Sequence, residues 1–136
     1  MYGAECWPKT KEVETRLSVM ETKMLYWTAG VTRMDRIRND ATRQTFGVAP
    51  IADKMREARL RWYGLVLRGE ENSVRKIALN FEVIGKRPRG RPKQRWLDTF
   101  HTHLKITGVH PDLALGRERW RHSTRIADPA TMRDKR

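Results

Sequence analysis

Apolar residues recur every three or four positions in several stretches of the chain, and this spacing restricts the fold more than any other feature. In residues 10–30 the recurring positions are Val13, Leu17, Met20, Met24 and Trp27. The spacing predicts an amphipathic α-helix with Thr10 as its N-cap and Gly30 at its end. We expect this apolar stripe to be buried.

A second strongly periodic stretch follows Pro50, a residue that suits the first turn of a helix. Its apolar face consists of Ile51, Met55, Ala58, Trp62 and Val66. Its polar face carries the cations Lys54, Arg56, Arg59 and Arg61. We expect the apolar face to receive the stripe of the first helix, because two amphipathic helices bury their apolar faces against each other.

Weaker signals fill the rest of the chain. Thr32 and Asp35 resemble a capping pair and predict a helix that ends before Gly47. Residues 68–73 read as a loop, and residues 74–85 fit neither a helix nor a strand period. Residues 96–108 show helical spacing again, and a last helical stretch surrounds Trp120. The predicted fold class is therefore all-α, a small bundle of about four to five short helices.

The expected organisation has four parts. A helical region covers residues 1–84, a basic extended linker covers 85–95, a C-terminal helical pair covers 96–126, and a disordered polar tail covers 127–136. The five tryptophans fall mostly on the predicted apolar stripes, which favours core positions for them. The alternative is that some of the rings are exposed and stack on the bases of single-stranded nucleic acid.

The charge of the chain is strongly one-sided. Its 136 residues carry 29 Lys and Arg against 16 Asp and Glu, which gives a formal net charge of +13. This excess favours a polyanionic partner, with DNA or RNA first and an anionic membrane surface second. The alternative is a solvated basic surface of the kind found on ribosomal proteins.

Other function classes find little support in the sequence. The single cysteine, Cys6, excludes an internal disulfide and a cysteine-rich zinc site, and it indicates a reducing, intracellular location in the nucleus or cytoplasm. The four histidines lack metal-ligand spacing, and no carboxylate pair, nucleophile or phosphate-binding glycine loop has a catalytic context. We expect no enzyme activity, no metal or other cofactor, no membrane span and no secretory signal. The sequence leaves the oligomeric state open.

The basic linker contains the most distinctive motif, GKRPRGRPKQRW at residues 85–96. Pro88 and Pro92 hold the backbone extended, and Gly90 separates two arginines so that the backbone can approach the floor of a DNA groove. A narrow A·T minor groove suits this arrangement, because it is strongly negative and lacks the guanine amino group. The motif resembles an AT-hook. The alternative is a solvated basic linker between two helices.

Four segments together resemble a known family. They are YGAECW at 2–7, MLYWTAGVTRMDRIRND at 24–40, FGVAPIADKMREARLRWYG at 46–64 and GKRPRGRPKQRWLDTF at 85–100. In this order they are similar to the C-terminal part of non-LTR retrotransposon (LINE) polyproteins, most closely those of the RTE type. The resemblance implies a segment that follows the palm and thumb of an endonuclease and reverse transcriptase. The catalytic Tyr-x-Asp-Asp motif and the endonuclease of that family do not occur in this sequence.

The resemblance also suggests which residues bind. Residues 59–64 match the family's Arg-x-Arg-Trp-aromatic-Gly element, and residues 89–96 match its Arg-Gly-Arg-Pro…Trp element. Leu65 stands where the family usually has histidine, which puts any template contact at this position in doubt, and Met1 is expected to be an internal methionine. The expected nucleic-acid-binding residues are Arg59, Arg61, Lys86, Arg87, Arg89, Gly90, Arg91, Lys93 and Arg95.

The function expected from this resemblance is binding of nucleic acid by a fragment of an RNA-directed DNA polymerase that lacks its catalytic domains. Two alternatives stay open at this point: an independent AT-hook chromatin protein, and a retroelement remnant without function.

Overall fold

The all-α prediction is confirmed by a computed structural model of the chain. The model describes residues 3, 6, 10–81, 85, 86, 89, 90, 95–125 and 127, and no strand occurs among them. The six helices are α1 (Lys11–Ala29), α2 (Asn39–Phe46), α3 (Ile51–Leu67), α4 (Val74–Leu79), α5 (Trp96–Thr107) and α6 (Arg117–Ser123). Two short 3₁₀ turns, Arg33–Asp35 and Pro111–Leu115, precede α2 and α6.

The predicted ends of α1 are confirmed, but its predicted buried face is largely wrong. The Thr10 side chain accepts a hydrogen bond from the Val13 N–H at 3.3 Å, and Gly30 ends the helix with φ +65°. Met20 and Met24 are exposed, and Trp27 is 86% exposed. The buried residues of α1 are instead Glu21 and Thr22. The Glu21 carboxylate forms an ion pair with Arg43 of α2, which places this side of α1 against the neighbouring helix.

The helix predicted between Thr32 and Gly47 is divided in two. Thr32 donates hydrogen bonds from its backbone N–H and its hydroxyl to Asp35 Oδ2, at 2.7 and 2.9 Å, so the predicted capping pair forms. These hydrogen bonds hold the pKa of the Asp35 carboxyl below its ordinary value. The turn then ends at Arg36, which has a left-handed φ of +49°, and α2 begins only at Asn39.

The remaining helices follow the predicted positions closely. α3 begins directly after Pro50, and α5 begins at Trp96 and ends at Gly108 with φ +66°. The ambiguous segment after residue 73 forms the short helix α4, whose first turn is capped by the Ser73 side chain. Near the C-terminus Trp120 is buried as predicted, whereas Leu113 and Leu115 are exposed and Ala114 takes the core position.

The chain forms two compact units whose boundary falls inside α3. Unit 1 consists of Met1–Pro8 and Ala58–Thr124, and unit 2 consists of Lys9–Glu57 and Arg125–Arg136. The core of unit 1 contains Leu60, Val66, Phe100, Leu104, Ala114 and Trp120. The core of unit 2 contains Ala49, Ile51 and Met55. The four-part division by residue number stays a prediction, since most of residues 82–94 and 126–136 lie outside the described part.

An ion-pair cluster organises unit 2. The Glu21 carboxylate on α1 accepts hydrogen bonds from Arg43 Nε on α2 at 3.2 Å and from the Ile51 N–H at the start of α3 at 3.3 Å. Lys54 Nζ lies 3.7 Å from the other carboxylate oxygen. The Glu21 and Arg43 side chains are only 10% and 11% exposed. α1 therefore meets the start of α3 through a buried carboxylate, and not through the exposed Met20, Met24 and Trp27 of its apolar stripe.

Candidate nucleic-acid interface

The two arginines expected on the polar face of α3 lie in different environments. Arg61 is exposed, whereas Arg59 is fully buried, with 0% of its surface accessible. Burial lowers the pKa of the Arg59 guanidinium, and the electrostatic influence of Cys6 opposes that shift. The cationic face predicted for α3 therefore does not include Arg59. The Arg59 side chain lies in the interior of unit 1, where a phosphate group in solution cannot reach it.

Gly64 on α3 makes room for the largest core side chain of unit 1. A Cβ atom at this position would collide with the indole ring of Trp120. The Trp120 Nε1–H donates a hydrogen bond to the Leu60 carbonyl, one turn earlier on α3, at 2.9 Å. The glycine in the Arg-x-Arg-Trp-Tyr-Gly element thus has a packing role, which the sequence analysis did not assign.

An aromatic cluster connects α3 with α5. The rings of Trp62 and Trp96 lie 5.2 Å apart in an edge-to-face arrangement, and the Trp96 and Phe100 rings are stacked at 5.4 Å. Tyr63 contacts Phe100 with a centroid distance of 3.9 Å and lies 6.1 Å from Trp120. Phe100 and Trp120 are buried, while Trp62 and Trp96 are only partly covered. The two sequence elements singled out for their resemblance, residues 59–64 and 89–96, therefore meet through their tryptophans.

The rings inside the aromatic cluster and the rings at its edge lie in different environments. Burial raises the pKa of the Tyr63 phenol, and the negative charge of Asp112 raises it further. Trp62 and Trp96 at the edge are directly preceded in the chain by Arg61 and Arg95, both exposed. Each of these partly covered rings thus directly follows an exposed arginine in the chain, and Trp96 directly follows the basic strip, which we define as residues 86–95.

The basic strip ends where α5 begins. The Arg95 N–H donates a hydrogen bond to Asp98 Oδ2 at 3.0 Å, which satisfies a backbone donor at the start of the helix. The carboxylate of Asp98 also lies at the positive end of the helix dipole. The strip is therefore joined to a well-capped helix whose first residue, Trp96, packs against α3.

Four of the seven strip residues expected to bind fall within the described part: Lys86, Arg89, Gly90 and Arg95. All four are exposed. Gly90 has φ +124°, a conformation that favours glycine, and a Cβ atom there would meet nothing within 4 Å. Glycine is therefore favoured at position 90 by the backbone conformation, and not by a lack of space for a side chain. Arg87, Arg91 and Lys93 lie outside the described residues, and their predicted roles stay predictions.

Positive charge is concentrated in unit 1. This unit carries 15 Lys and Arg against 7 Asp and Glu, whereas unit 2 carries 14 against 9. The side chains of Lys86, Arg89 and Arg95 form no ion pair with any described residue, so their charge is available to an external anion.

Within the described ranges no three His, Cys, Asp or Glu side chains cluster in a way that could hold a metal ion. None of the described helices is long and apolar enough to span a membrane.

Comparison with known proteins returns no relative. The chain matches no protein-family model, no curated protein and no solved structure.

Proposed function

We propose that this chain binds nucleic acid and corresponds to the non-catalytic C-terminal segment of a reverse transcriptase of the non-LTR retrotransposon type. One observation supports this proposal above the others: the tryptophans of two distant sequence elements, Trp62 and Trp96, pack at 5.2 Å, and each directly follows an exposed arginine in the chain. We infer that residues 59–64 and 89–96, two of the elements that match the family, contribute to one cationic and aromatic surface. Such a surface suits a phosphate backbone with adjacent bases.

In the proposed binding mode, the strip follows the nucleic-acid backbone or enters the minor groove. Arg89 and Arg91 point their guanidinium groups along the groove, and Gly90 allows the backbone between them to approach its floor. Arg61 adds a phosphate contact from α3, and Arg59, which is buried inside unit 1, does not take part. In a complete element, the segment would help to hold RNA template or target DNA during target-primed reverse transcription.

We expect the chain to bind nucleic acid without catalysing DNA synthesis. The palm motif with its paired aspartates does not occur in the sequence, so the purified chain is expected to show no polymerase activity with magnesium or manganese. Primer extension on a poly(rA) template, compared with a heat-inactivated sample, checks this expectation. Extension above the inactivated sample would contradict it.

Titration of labelled A·T and G·C duplexes tests the binding mode. We expect binding to both duplexes with a preference for A·T, because the guanine amino group obstructs the groove floor. The variant Arg89→Lys/Arg91→Lys keeps the charge but removes the planar guanidinium groups, so it should lose the preference and keep most of the affinity. Equal affinity of the unmutated chain for both duplexes would reduce the strip to a non-specific phosphate contact. Failure to bind either duplex, or single-stranded DNA or RNA of the same length, would overturn the proposed function.

Genomic sequence upstream of the first codon distinguishes this proposal from an independent AT-hook chromatin protein. A palm motif there, either in frame or frameshifted, supports the reverse transcriptase segment. A promoter and an intron-bearing host gene would support the chromatin protein instead.

A further inference from the structure

The helix α6 carries a cationic surface that the proposed binding mode does not use. Arg117, Arg119 and Arg121 are all exposed on this helix of seven residues. None of the three forms an ion pair with any residue in the described part of the chain. Glu118, the single acid of α6, is three residues from Arg121 and yet does not pair with it. The positive charge of α6 is therefore not neutralised internally.

The orientation of this surface is fixed by buried contacts. Trp120, which is 1% exposed, donates its indole N–H to the Leu60 carbonyl on α3. Thr124 is fully buried and donates its hydroxyl to the Trp120 carbonyl at 2.8 Å. Arg68, directly after α3, donates a hydrogen bond from its guanidinium group to the carbonyl of Ala114 in the turn before α6. These contacts hold α6 in one defined orientation, in which Arg117 and Arg121 are exposed next to the buried Trp120 and Thr124.

Arg117 and Arg121 are the pair best placed to bind a shared anion. Residues four apart lie next to each other on a helix surface, and two like charges at this spacing destabilise the helix. A phosphate between the two guanidinium groups would relieve this repulsion and accept hydrogen bonds from both. Arg119 points to another side of the helix, because successive residues turn by about 100°.

We propose that Arg117 and Arg121 form a second phosphate-binding site for the nucleic acid that the basic strip contacts. This inference rests on the proposed function, because it assumes the same ligand. α6 and the strip belong to the same compact unit, and that unit holds the larger excess of positive charge. Arg61 is next to Leu60, whose carbonyl accepts the hydrogen bond of the Trp120 indole, so the backbone of α3 at Arg61 lies close to α6. The site extends the contact surface from the strip and α3 onto α6.

The test measures how the affinity of the full chain for a labelled duplex depends on salt. Replacing Arg117 and Arg121 by glutamine removes the contact to the shared phosphate, so the slope of log K against log salt should become shallower by about 0.9, the usual value for one phosphate contact. The variant Arg117→Lys/Arg121→Lys should keep the slope, because the charge is retained. Arg33→Gln/Arg38→Gln is the matched control, since these two exposed arginines of unit 2 have no ion-pair partner among the described residues.

The possible results of this measurement distinguish failure of the α6 site from failure of the proposed function. A shallower slope for Arg117→Gln/Arg121→Gln alone, with an unchanged unfolding midpoint, supports the α6 site. An unchanged slope in that variant, or an equal change in the Arg33→Gln/Arg38→Gln control, overturns the α6 site and leaves the proposed function intact. If the unmutated chain shows no salt-dependent binding at all, the proposed function fails and the α6 site fails with it.

Discussion

At the scale of single residues, the glycine and the tryptophan that join α3 to α6 depend on each other. Gly64 lies in the interior of a helix, where glycine costs about 1 kcal/mol relative to alanine, so a compensating reason is needed for its presence. That reason is the Trp120 indole ring, which occupies the space where a Cβ atom would be. The spacing of apolar residues did not reveal this pair, because 56 positions separate its two members in the sequence.

Replacement of Gly64 by alanine should therefore destabilise unit 1 despite the better helix propensity of alanine. We expect a loss of roughly 1–3 kcal/mol in the free energy of unfolding, the usual cost of overpacking a core. Gly116→Ala is the control, since a Cβ atom at Gly116 makes only ordinary contacts and its φ is −87°. Denaturant unfolding followed by tryptophan fluorescence measures both variants. Equal stability of the two would show that Trp120 does not need the space at Gly64.

The partly buried phenol of Tyr63 predicts a loss of stability at alkaline pH. Burial, assisted by the charge of Asp112, raises the pKa of Tyr63 in the folded state. Above pH of about 10 the unfolded chain therefore releases this proton while the folded chain keeps it, and the free energy of unfolding declines as pH rises. Tyr63→Phe should make that decline shallower above a pH of about 10. An identical pH dependence in the variant and the unmutated chain would contradict the burial of the phenol.

At the scale of helices, local signals predicted where elements begin and end better than which faces are buried. Thr10, Gly30 and Gly108 act within one or two turns of their own position, so the sequence was sufficient to place those helix ends. The break at Arg36 was not predictable, because arginine has no intrinsic preference for a left-handed conformation. The apolar stripe of α1 failed as a predictor of burial because Glu21 pairs with a residue of another helix.

The pairing of Glu21 makes a direct prediction about α1. Glu21→Ala removes the carboxylate from the largely buried Arg43 and should cost about 3–5 kcal/mol, the usual effect of breaking a buried ion pair. Glu12→Ala on the same helix removes an exposed pair with Arg16 and should cost about 0.5 kcal/mol or less. Thermal or denaturant unfolding compares the two variants. If both are equally stable, the Glu21 cluster does not hold unit 2 together.

The tryptophans of α1 and α6 should respond differently to truncation. Trp120→Ala removes a buried ring and should cost about 3–5 kcal/mol. Trp27→Ala removes a ring that is 86% exposed and should change stability by about 0.5 kcal/mol or less. A large loss in Trp27→Ala would show that the apolar stripe of α1 is buried after all, as its spacing alone had predicted.

At the scale of the whole molecule, the polyanionic partner expected from composition and the binding elements expected from the resemblance both stay predictions. The net charge pointed to a polyanion, and residues 59–64 and 89–96 were singled out separately. Neither composition nor the resemblance predicts that Arg59 is buried or that Trp62 contacts Trp96, because both facts depend on packing between distant parts of the chain. The spacing of residues in the sequence also did not single out Arg117 and Arg121, which are exposed on α6.

Nucleic-acid binding by the basic strip is the central claim, and its salt dependence tests that claim most directly. The measurement compares the unmutated chain with a variant in which the six strip cations are replaced by glutamine: Lys86, Arg87, Arg89, Arg91, Lys93 and Arg95. If all six contact phosphate, the slope of log K against log salt should be shallower in the variant by about 5, from roughly 0.9 per contact. A variant that binds the same duplex with the slope and affinity of the unmutated chain would contradict the account.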